Sequence, residues 1–363
     1  MLNIVVRRSS KFSISLPALA ASGRLRLAGA LGCLLIAGLA HNCAGQTLSD
    51  QVLDRVNRLR AIVPLAEVLK DQREQVLSSL SDVEASVRDG QNYLALYRLQ
   101  TLWTGIQPVE YARSKAADSK EGPTQFERAW RRLSTELKSK EASIDRQMRA
   151  GLPQAIRGLI EMCLIKSQAY YESSRPFGED TQLRYGYYYM GVASAYLDFA
   201  LMCLKTDFPG QLSAPASRSL GRELEQLDAK VVETYKQRDK PALVEEFIAL
   251  SSNVEFAIQL ERARRYDGAL IAYLDAALKL GLLETPDQQA GSTAELTARL
   301  DGIAARLGAG NRDNSVGMIY AASARLALAH ATTAARPSED LKKAAVLIDR
   351  ILPAYLNIIS EAK

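Results

Sequence analysis

The sequence predicts an all-α protein. Apolar residues recur at spacings of three and four along most of the chain, and the strict alternation typical of half-buried strands is scarce. Prolines, glycines and short polar stretches interrupt this pattern where helices would begin or end. The chain has 363 residues, of which 47% are hydrophobic and 24% charged, so it is long enough to bury a substantial core.

Twelve helices follow from this spacing. Their predicted ranges are 49–63, 65–89, 92–118, 124–150, 153–174, 181–206, 217–237, 241–264, 266–282, 293–307, 315–335 and 338–361. The prolines at or near a predicted start, where a missing N–H costs little, are Pro64, Pro123, Pro153, Pro241 and Pro337.

Local signals mark several helix ends and irregularities. Ser81 and Ser292 are each followed three residues later by a glutamate, which is the form of a capping box at a helix start. The Arg-Pro-Phe-Gly stretch at 175–178 predicts the turn of a helical hairpin. Pro353 falls inside the last helix and is expected to kink it.

Two of these helices are expected to differ in burial. The helix 124–150 carries a narrow apolar stripe and charges almost everywhere else, which is typical of an exposed helix. The helix 181–206 is apolar nearly all round, and its small residues would let neighbouring helices approach closely. We therefore expect 181–206 to lie at the centre of the fold. The small residues are Gly186, Gly191, Ala193 and Ala195.

Residues 250–282 resemble a tetratricopeptide repeat. The small and large residues that carry the resemblance are Ala257, Leu260, Tyr266, Ala269, Leu270, Tyr273, Ala276 and Leu280. The match covers roughly one repeat, and Tyr93, Ala95 and Tyr97 within 81–104 are a fainter echo of it. The resemblance implies stacked antiparallel helix pairs in an α-solenoid, tetratricopeptide-like arrangement, with a concave surface that binds a partner. It implies no catalysis.

The N-terminal segment 1–45 is predicted to be a secretory signal. A basic stretch is followed by residues 27–40, which are uncharged and mostly apolar but shorter than the roughly 20 residues that span a bilayer. Small residues then offer a cleavage site near Gln46. An amphipathic or buried N-terminal helix is the alternative. Lipidation at Cys43 is also left open, although the preceding His41 and Asn42 disfavour it.

The remaining chain is divided into a helical region, 46–150, and a helical-repeat region, 151–363, which could form one continuous domain. Segment 1–45 holds five basic residues and no acidic one, so removing it from the total of 46 leaves 41 basic residues against 41 acidic. This neutral balance argues against a nucleic-acid partner, which requires an uncompensated basic face. No membrane span is expected in the mature chain.

Catalytic and metal chemistry find little support in the sequence. His330 is the one histidine past residue 45, and motifs for a zinc site, a serine nucleophile or a phosphate-binding loop are absent. We expect no cofactor, no metal and no enzymatic activity, with His330 in a structural or surface role. Cys163 and Cys203 are predicted to be two small buried side chains on successive helices, too far apart for a disulfide.

The tyrosine-rich hairpin around 170–196 is the most distinctive feature of the sequence. A core of packed rings would explain it. The alternative is a groove wall that binds a peptide or a glycan, because tyrosine combines a large ring with a hydroxyl that needs a partner. Tyr188 is the best single candidate, since it lies off the two main apolar stripes of its helix. The candidate partner-binding residues are Arg184, Tyr188, Asp198, Tyr170 and Tyr171.

The sequence therefore predicts an exported helical-repeat scaffold or protein-interaction module of the bacterial cell envelope. It would bind a partner, expected to be a protein, in a groove between helix pairs, and a glycan is the other ligand considered. The alternative is an α/α-toroid enzyme, a glycan hydrolase or lyase, since about twelve helices would also form such a ring. An open superhelix would favour the scaffold, and a closed ring with a carboxylate-lined cleft the enzyme.

Overall fold

A computed structural model describes most of the chain that follows the predicted signal. The described residues are 47–65, 71–117, 122–148, 151–179, 182–206, 208, 218–238, 243–286, 291–309, 312–332 and 337–361. Within these ranges every regular element is a helix, which confirms the all-α prediction. The predicted signal segment 1–45, including Cys43, lies outside them.

The helices follow one another with short connections. Their bounds are α1 Leu48–Ile62, α2 Arg73–Arg88, α3 Asn92–Ala117, α4 Gly122–Gln147, α5 Gln154–Glu179, α6 Leu183–Leu204, α7 Gly221–Arg238, α8 Val244–Arg262, α9 Tyr266–Glu284, α10 Thr293–Gly308, α11 Ser315–Ala331, α12 Pro337–Val346 and α13 Leu352–Glu361. A 3-10 turn, Val63–Leu65, follows α1, and a π-helical turn, Leu347–Ile351, joins α12 to α13 in one continuous rod.

One of the two predicted capping boxes is present in the structure. The Ser292 hydroxyl accepts a hydrogen bond from the Glu295 amide, and the Glu295 carboxylate accepts one from the Ser292 amide. Helix α10 therefore has the expected capping box. Ser81 instead lies inside α2, where its hydroxyl donates to the Leu77 carbonyl, so that prediction was wrong. Thr47 and Asp50 form a capping box at α1 that sequence reasoning missed.

The turn predicted at 175–178 was also wrong, because α5 continues through Pro176 to Glu179. A proline inside a helix loses one backbone hydrogen bond, so packing must offset that loss. The Phe177 ring lies 5.1 Å from that of Tyr189, and a Cβ at Gly178 would overlap the Phe126 ring. These contacts with α6 and α4 explain why the helix persists.

Pro353 is accommodated by a change of helix type. The five residues directly before Leu352 form the π-helical turn, and α12, this turn and α13 run on without a break. A π turn inside an α-helix is a common site of local distortion. The expected irregularity therefore lies at 347–351, just before the proline.

The helices enclose two large buried clusters of apolar side chains. One is contributed by α1 to α6, and the other mainly by α7 to α13 with Leu94 of α3 and Ala155 and Met162 of α5. Helix α3 packs on α1, α2, α6 and α11, whereas α5 packs on α4, α6 and α9. Helices α3 and α5 therefore belong to both clusters and lie at the centre of the molecule.

The predicted burial of α4 and α6 is confirmed, although α3 and α5 occupy the centre that was expected for α6. The buried residues of α4 form one narrow stripe, Phe126, Leu133, Leu137 and Ile144. Helix α6 is buried along most of its length, and two of its glycines are sites of close approach. A Cβ at Gly186 would lie 2.5 Å from the Phe126 ring, and one at Gly191 would lie 3.1 Å from the Pro108 backbone.

Consecutive helices pack as pairs, among them α5 with α6, α8 with α9 and α11 with α12. Helix α3 also packs on α11, more than 200 residues further along the chain. A regular solenoid has contacts only between neighbouring repeats. Among the described residues, no helix combines the length and apolar character needed to cross a membrane.

Candidate functional site

One stripe of the central helix α3 is open. Thr101 is exposed and Gly105 is partly exposed, although their neighbours on the helix are largely buried. A Cβ placed on Gly105 would meet no atom within 4 Å. Tyr97 lies one turn before Thr101 on the same stripe, because residues four apart share a helix face. An opening therefore follows α3 from Tyr97 to Gly105.

Tyrosines of α5 and α6 line one side of this opening. The Tyr188 hydroxyl donates to the Gly105 carbonyl at 3.4 Å, and Thr104 interacts with the Tyr196 hydroxyl. The Tyr170 ring of α5 stacks on Tyr196, with centroids 5.8 Å apart. These contacts connect α3, α5 and α6 through aromatic rings.

A carboxylate of α9 lies on the other side. Asp275 Oδ1 accepts hydrogen bonds from the Tyr97 hydroxyl at 2.7 Å and from the Tyr320 hydroxyl at 2.9 Å. Lys166 and Lys279 both act electrostatically on Asp275. The Lys166 ammonium lies 4.8 Å from the Phe256 ring and 5.7 Å from the Tyr196 ring, within the range of cation–π contacts.

These residues belong to four helices, and we call the opening that they share with Thr101 the tyrosine groove. Its residues are Tyr97, Thr101 and Gly105 of α3, Lys166 and Tyr170 of α5, Tyr188 and Tyr196 of α6, and Asp275 and Lys279 of α9. The groove is thus built from parts of the chain that are far apart in sequence.

Burial sets the protonation behaviour of the groove. It raises the pKa of the Tyr170, Tyr188 and Tyr196 hydroxyls, so these remain neutral and able to donate hydrogen bonds at physiological pH. Burial also raises the pKa of Asp275, against the two tyrosine hydrogen bonds that lower it. The pKa of Lys279 is lowered by burial, and the Lys166 charge acts in the same direction.

The structure places two of the five predicted partner-binding residues in the groove, Tyr170 and Tyr188. Tyr171 points to α4, where its ring stacks on Trp130 at 4.6 Å and its hydroxyl donates to the Trp130 carbonyl. Asp198 is exposed and pairs with Lys140 of α4 at 2.9 Å. Arg184 is exposed in the first turn of α6 and makes no hydrogen bond or ion pair with another described residue. The five residues are therefore not one surface.

Sequence reasoning missed most of the α3 and α9 side of the groove. A signal was nevertheless present, since Lys166 is the one charged residue between Glu161 and Glu172 of a largely apolar helix. Asp275 and Lys279 are likewise isolated on the apolar helix α9, one turn apart. Isolated charges on a helix that must be covered are candidates for a polar site.

A second polar cluster lies at the start of α5 and is closed. Asp267 in the first turn of α9 accepts from Arg157 at 2.8 Å and from Gln154 at 3.0 Å. Glu161 accepts from the Gly268 amide at 2.7 Å, and the Gln154 amide donates to Asp313. We call these residues the polar hub. It joins the starts of α5, α9 and α11, where helix dipoles favour carboxylates.

A small pocket lies between α3, α11 and α12, beside His330 of α11. Its lining includes Arg98, His330 and Lys343. Asp82 of α2 lies 3.1 Å from the Arg98 guanidinium and 3.6 Å from His330 Nε2. Burial lowers the pKa of Lys343, and the Arg98 charge lowers it further. These contacts join α2, α3 and α11, and the structural or surface role of His330 stays a prediction.

Both cysteines in the described residues, Cys163 and Cys203, are buried and free, as expected. Burial raises the pKa of the Cys163 thiol to about 12. The described residues contain no group of three or more histidine, cysteine or acidic side chains that could hold a metal ion.

Comparison with models of known protein families, with curated proteins and with solved structures finds no match for this chain. The function proposed below therefore depends on the geometry of the chain's own residues.

Proposed function

We propose that the protein is an exported helical scaffold that binds an extended segment of a partner protein in the tyrosine groove. The observation that carries this proposal is the open stripe at Thr101 and Gly105 on an otherwise covered central helix. A helix in a protein core normally packs against its neighbours along its whole length, so an open stripe on it means that packing contacts are lost there. An open stripe lined by rings and hydrogen-bond donors has the mixture of apolar and polar groups that binding sites use.

The composition of the groove favours a polypeptide ligand. Tyrosine supplies large contact area at low entropic cost and a hydroxyl for backbone groups, which is why it is enriched where proteins meet. The absence of a Cβ at Gly105 leaves room for a backbone to pass close to α3. A segment lying there would contact α3, α5, α6 and α9 together.

A tetratricopeptide-like arrangement is proposed for α8 and α9 alone. These helices pack as a pair, and the residues that carry the resemblance, among them Ala257, Leu260, Ala269 and Ala276, are fully buried. The contact between α3 and α11 lies outside such a local pairing. Export to the bacterial cell envelope is proposed from segment 1–45, and the intact mass of the mature protein would test it together with lipidation at Cys43.

The α/α-toroid enzyme remains the alternative function. Glycosidases place two carboxyl groups about the scissile bond. The tyrosine groove as defined holds one, Asp275, which is already bonded to two tyrosine hydroxyls. The observations on the described residues thus support binding more than hydrolysis.

Blocking the groove tests the proposal. A phage-displayed library of random peptides is selected against the full chain, and the enriched peptides are measured by fluorescence polarisation against Gly105→Phe and Gly302→Phe. Both glycines lie in helices, and at neither would a Cβ meet an atom within 4 Å, so a side chain can begin at either position without a clash. The first fills the groove, whereas the second lies on the exposed part of α10.

We expect peptides to bind the wild type and Gly302→Phe equally, and Gly105→Phe at least about tenfold more weakly. Thermal unfolding of the two variants provides the check on folding. Enrichment of no peptide, or equal binding to Gly105→Phe, would overturn the proposal.

A further inference from the structure

We infer that the segment bound in the tyrosine groove is acidic, with a carboxylate placed between Lys166 and Lys279. This inference rests on the proposed function and adds the chemistry of the ligand. It depends on the charges that the groove leaves without a partner.

The two ammonium groups are unpaired within the described structure. Neither Lys166 nor Lys279 makes a hydrogen bond or an ion pair with another described residue, although both act on the same carboxylate, Asp275. Most other basic groups near the centre of the fold have acidic partners, such as Arg157 with Asp267 and Arg98 with Asp82. The groove therefore holds two cations and one anion that act on one another electrostatically.

Asp275 is already engaged, which leaves the positive charge in excess. Its Oδ1 accepts from two tyrosine hydroxyls, one from Tyr97 and one from Tyr320. The Lys166 ammonium is held over two aromatic rings, and a ring orients a cation without neutralising its charge. Burial lowers the pKa of Lys279, the Asp275 charge opposes this shift and the Lys166 charge adds to it. An anion bound near both ammonium groups would offset the repulsion between them.

A third donor points to the same ligand. The Tyr170 ring packs on Tyr196 and Tyr189, and its hydroxyl makes no hydrogen bond within the described residues. A carboxylate accepts up to four hydrogen bonds and forms its strongest ones with cationic donors. Two ammonium groups and a phenol are thus a suitable set of donors for a glutamate or aspartate side chain.

The test uses the same displayed library of random peptides, selected in parallel on the wild type and on the Lys166→Gln/Lys279→Gln double variant. We expect Asp and Glu to be enriched on the wild type alone. Peptides selected on the wild type should bind the double variant about tenfold more weakly than they bind the wild type. Their loss of affinity for Lys166→Arg, which keeps the charge, should be much smaller. Raising NaCl from about 0.05 M to about 0.5 M should weaken wild-type binding, because salt screens exposed charges.

The outcomes separate this inference from the proposed function. Peptides that lose binding on Gly105→Phe but show no acidic bias and no response to the lysine changes would overturn the inference and leave the function standing. Failure of any peptide to respond to Gly105→Phe would overturn both. Thermal unfolding of the double variant is measured as the check on folding, because the change also removes two charges that favour the ionised form of Asp275.

Discussion

Two sets of polar side chains on helix α5 differ in whether they have hydrogen-bond partners. In the first half, Gln154, Arg157 and Glu161 are hydrogen-bonded into the closed polar hub. In the second half, Lys166 and Tyr170 face the tyrosine groove with an ammonium and a hydroxyl that lack hydrogen-bond partners among the described residues.

This difference separates stability from function along one helix. A buried polar group that has found its partner holds elements together, because removing that partner leaves a costly unsatisfied group. An accessible polar group without a partner adds little to stability and is available to a ligand. The hub is therefore expected to determine how firmly α5, α9 and α11 are joined, and the groove to determine what the protein binds.

The largest effect is expected from breaking the ion pair of the hub. Asp267→Ala leaves the buried Arg157 guanidinium without its carboxylate and should lower the free energy of unfolding by about 3–5 kcal/mol. Asp301→Ala is the matched control, because Asp301 pairs with Arg325 on the surface, where such pairs contribute less than about 1 kcal/mol. Urea denaturation measures both, and equal losses would contradict the role of the hub.

The next effect depends on pH. Burial, with a smaller contribution from the Asp267 charge, raises the pKa of Glu161 to about 7 in the fold, from 4.5 as its ordinary value. The folded state then binds a proton that the unfolded state has released, so stability should fall as pH rises from 4.5 through 7. Glu161→Gln removes this dependence and should be more stable than wild type at pH 8 by up to roughly 3 kcal/mol.

Denaturation curves at about pH 5 and pH 8 check this prediction. Glu225→Gln, which changes an exposed carboxyl of α7, is the control and should leave the wild-type difference between the two curves intact. A wild-type stability that rises between these pH values would contradict the assignment to Glu161.

A smaller effect is expected at the wall of the groove. Tyr97→Phe removes one of the two hydroxyls that donate to Asp275 and should lower the free energy of unfolding by about 1–2 kcal/mol. Tyr266→Phe is the control, since the Tyr266 hydroxyl makes no hydrogen bond with a described residue. Equal losses in the two variants would show that the Tyr97–Asp275 contact contributes nothing.

The smallest effect is expected inside the groove. Lys166→Gln loses contacts with the Tyr196 and Phe256 rings and an attraction to Asp275, and it relieves repulsion with Lys279. Since these effects partly offset one another, stability should change by less than about 1 kcal/mol. Thermal unfolding measures the change. A loss as large as that of Asp267→Ala would mean that Lys166 has a structural partner and is not available to a ligand.

Most helices could be predicted from the sequence because amphipathic spacing is a local property. The buried stripe of α4 and the covered helix α6 follow from the order of residues alone. The end of α5 could not be predicted in this way, since Pro176 indicates that the helix stops. The helix continues because Phe177 and Gly178 pack on other helices. Tertiary contacts outweighed a local signal at that point.

The groove was only partly predictable for the same reason. Tyr170 and Tyr188 stood out by their chemistry. Tyr171 was grouped with them as part of the tyrosine-rich hairpin, and Arg184 and Asp198 as isolated charges on a largely apolar helix. Tyr171 and Asp198 contact α4 instead, a helix whose position no local pattern specifies. The meeting of Tyr97 with Asp275 joins residues 178 positions apart, and periodicity carries no information on such pairs.

Hydrogen–deuterium exchange of the chain with and without a selected peptide tests the central claim most directly. The account predicts new protection at residues 97–105 and 166–170, with none at the already closed hub residues 154–161. Protection instead at the exposed apolar side chains of α7 and α8, which include Val232, Tyr235 and Ile248, would place the binding surface elsewhere and contradict the account.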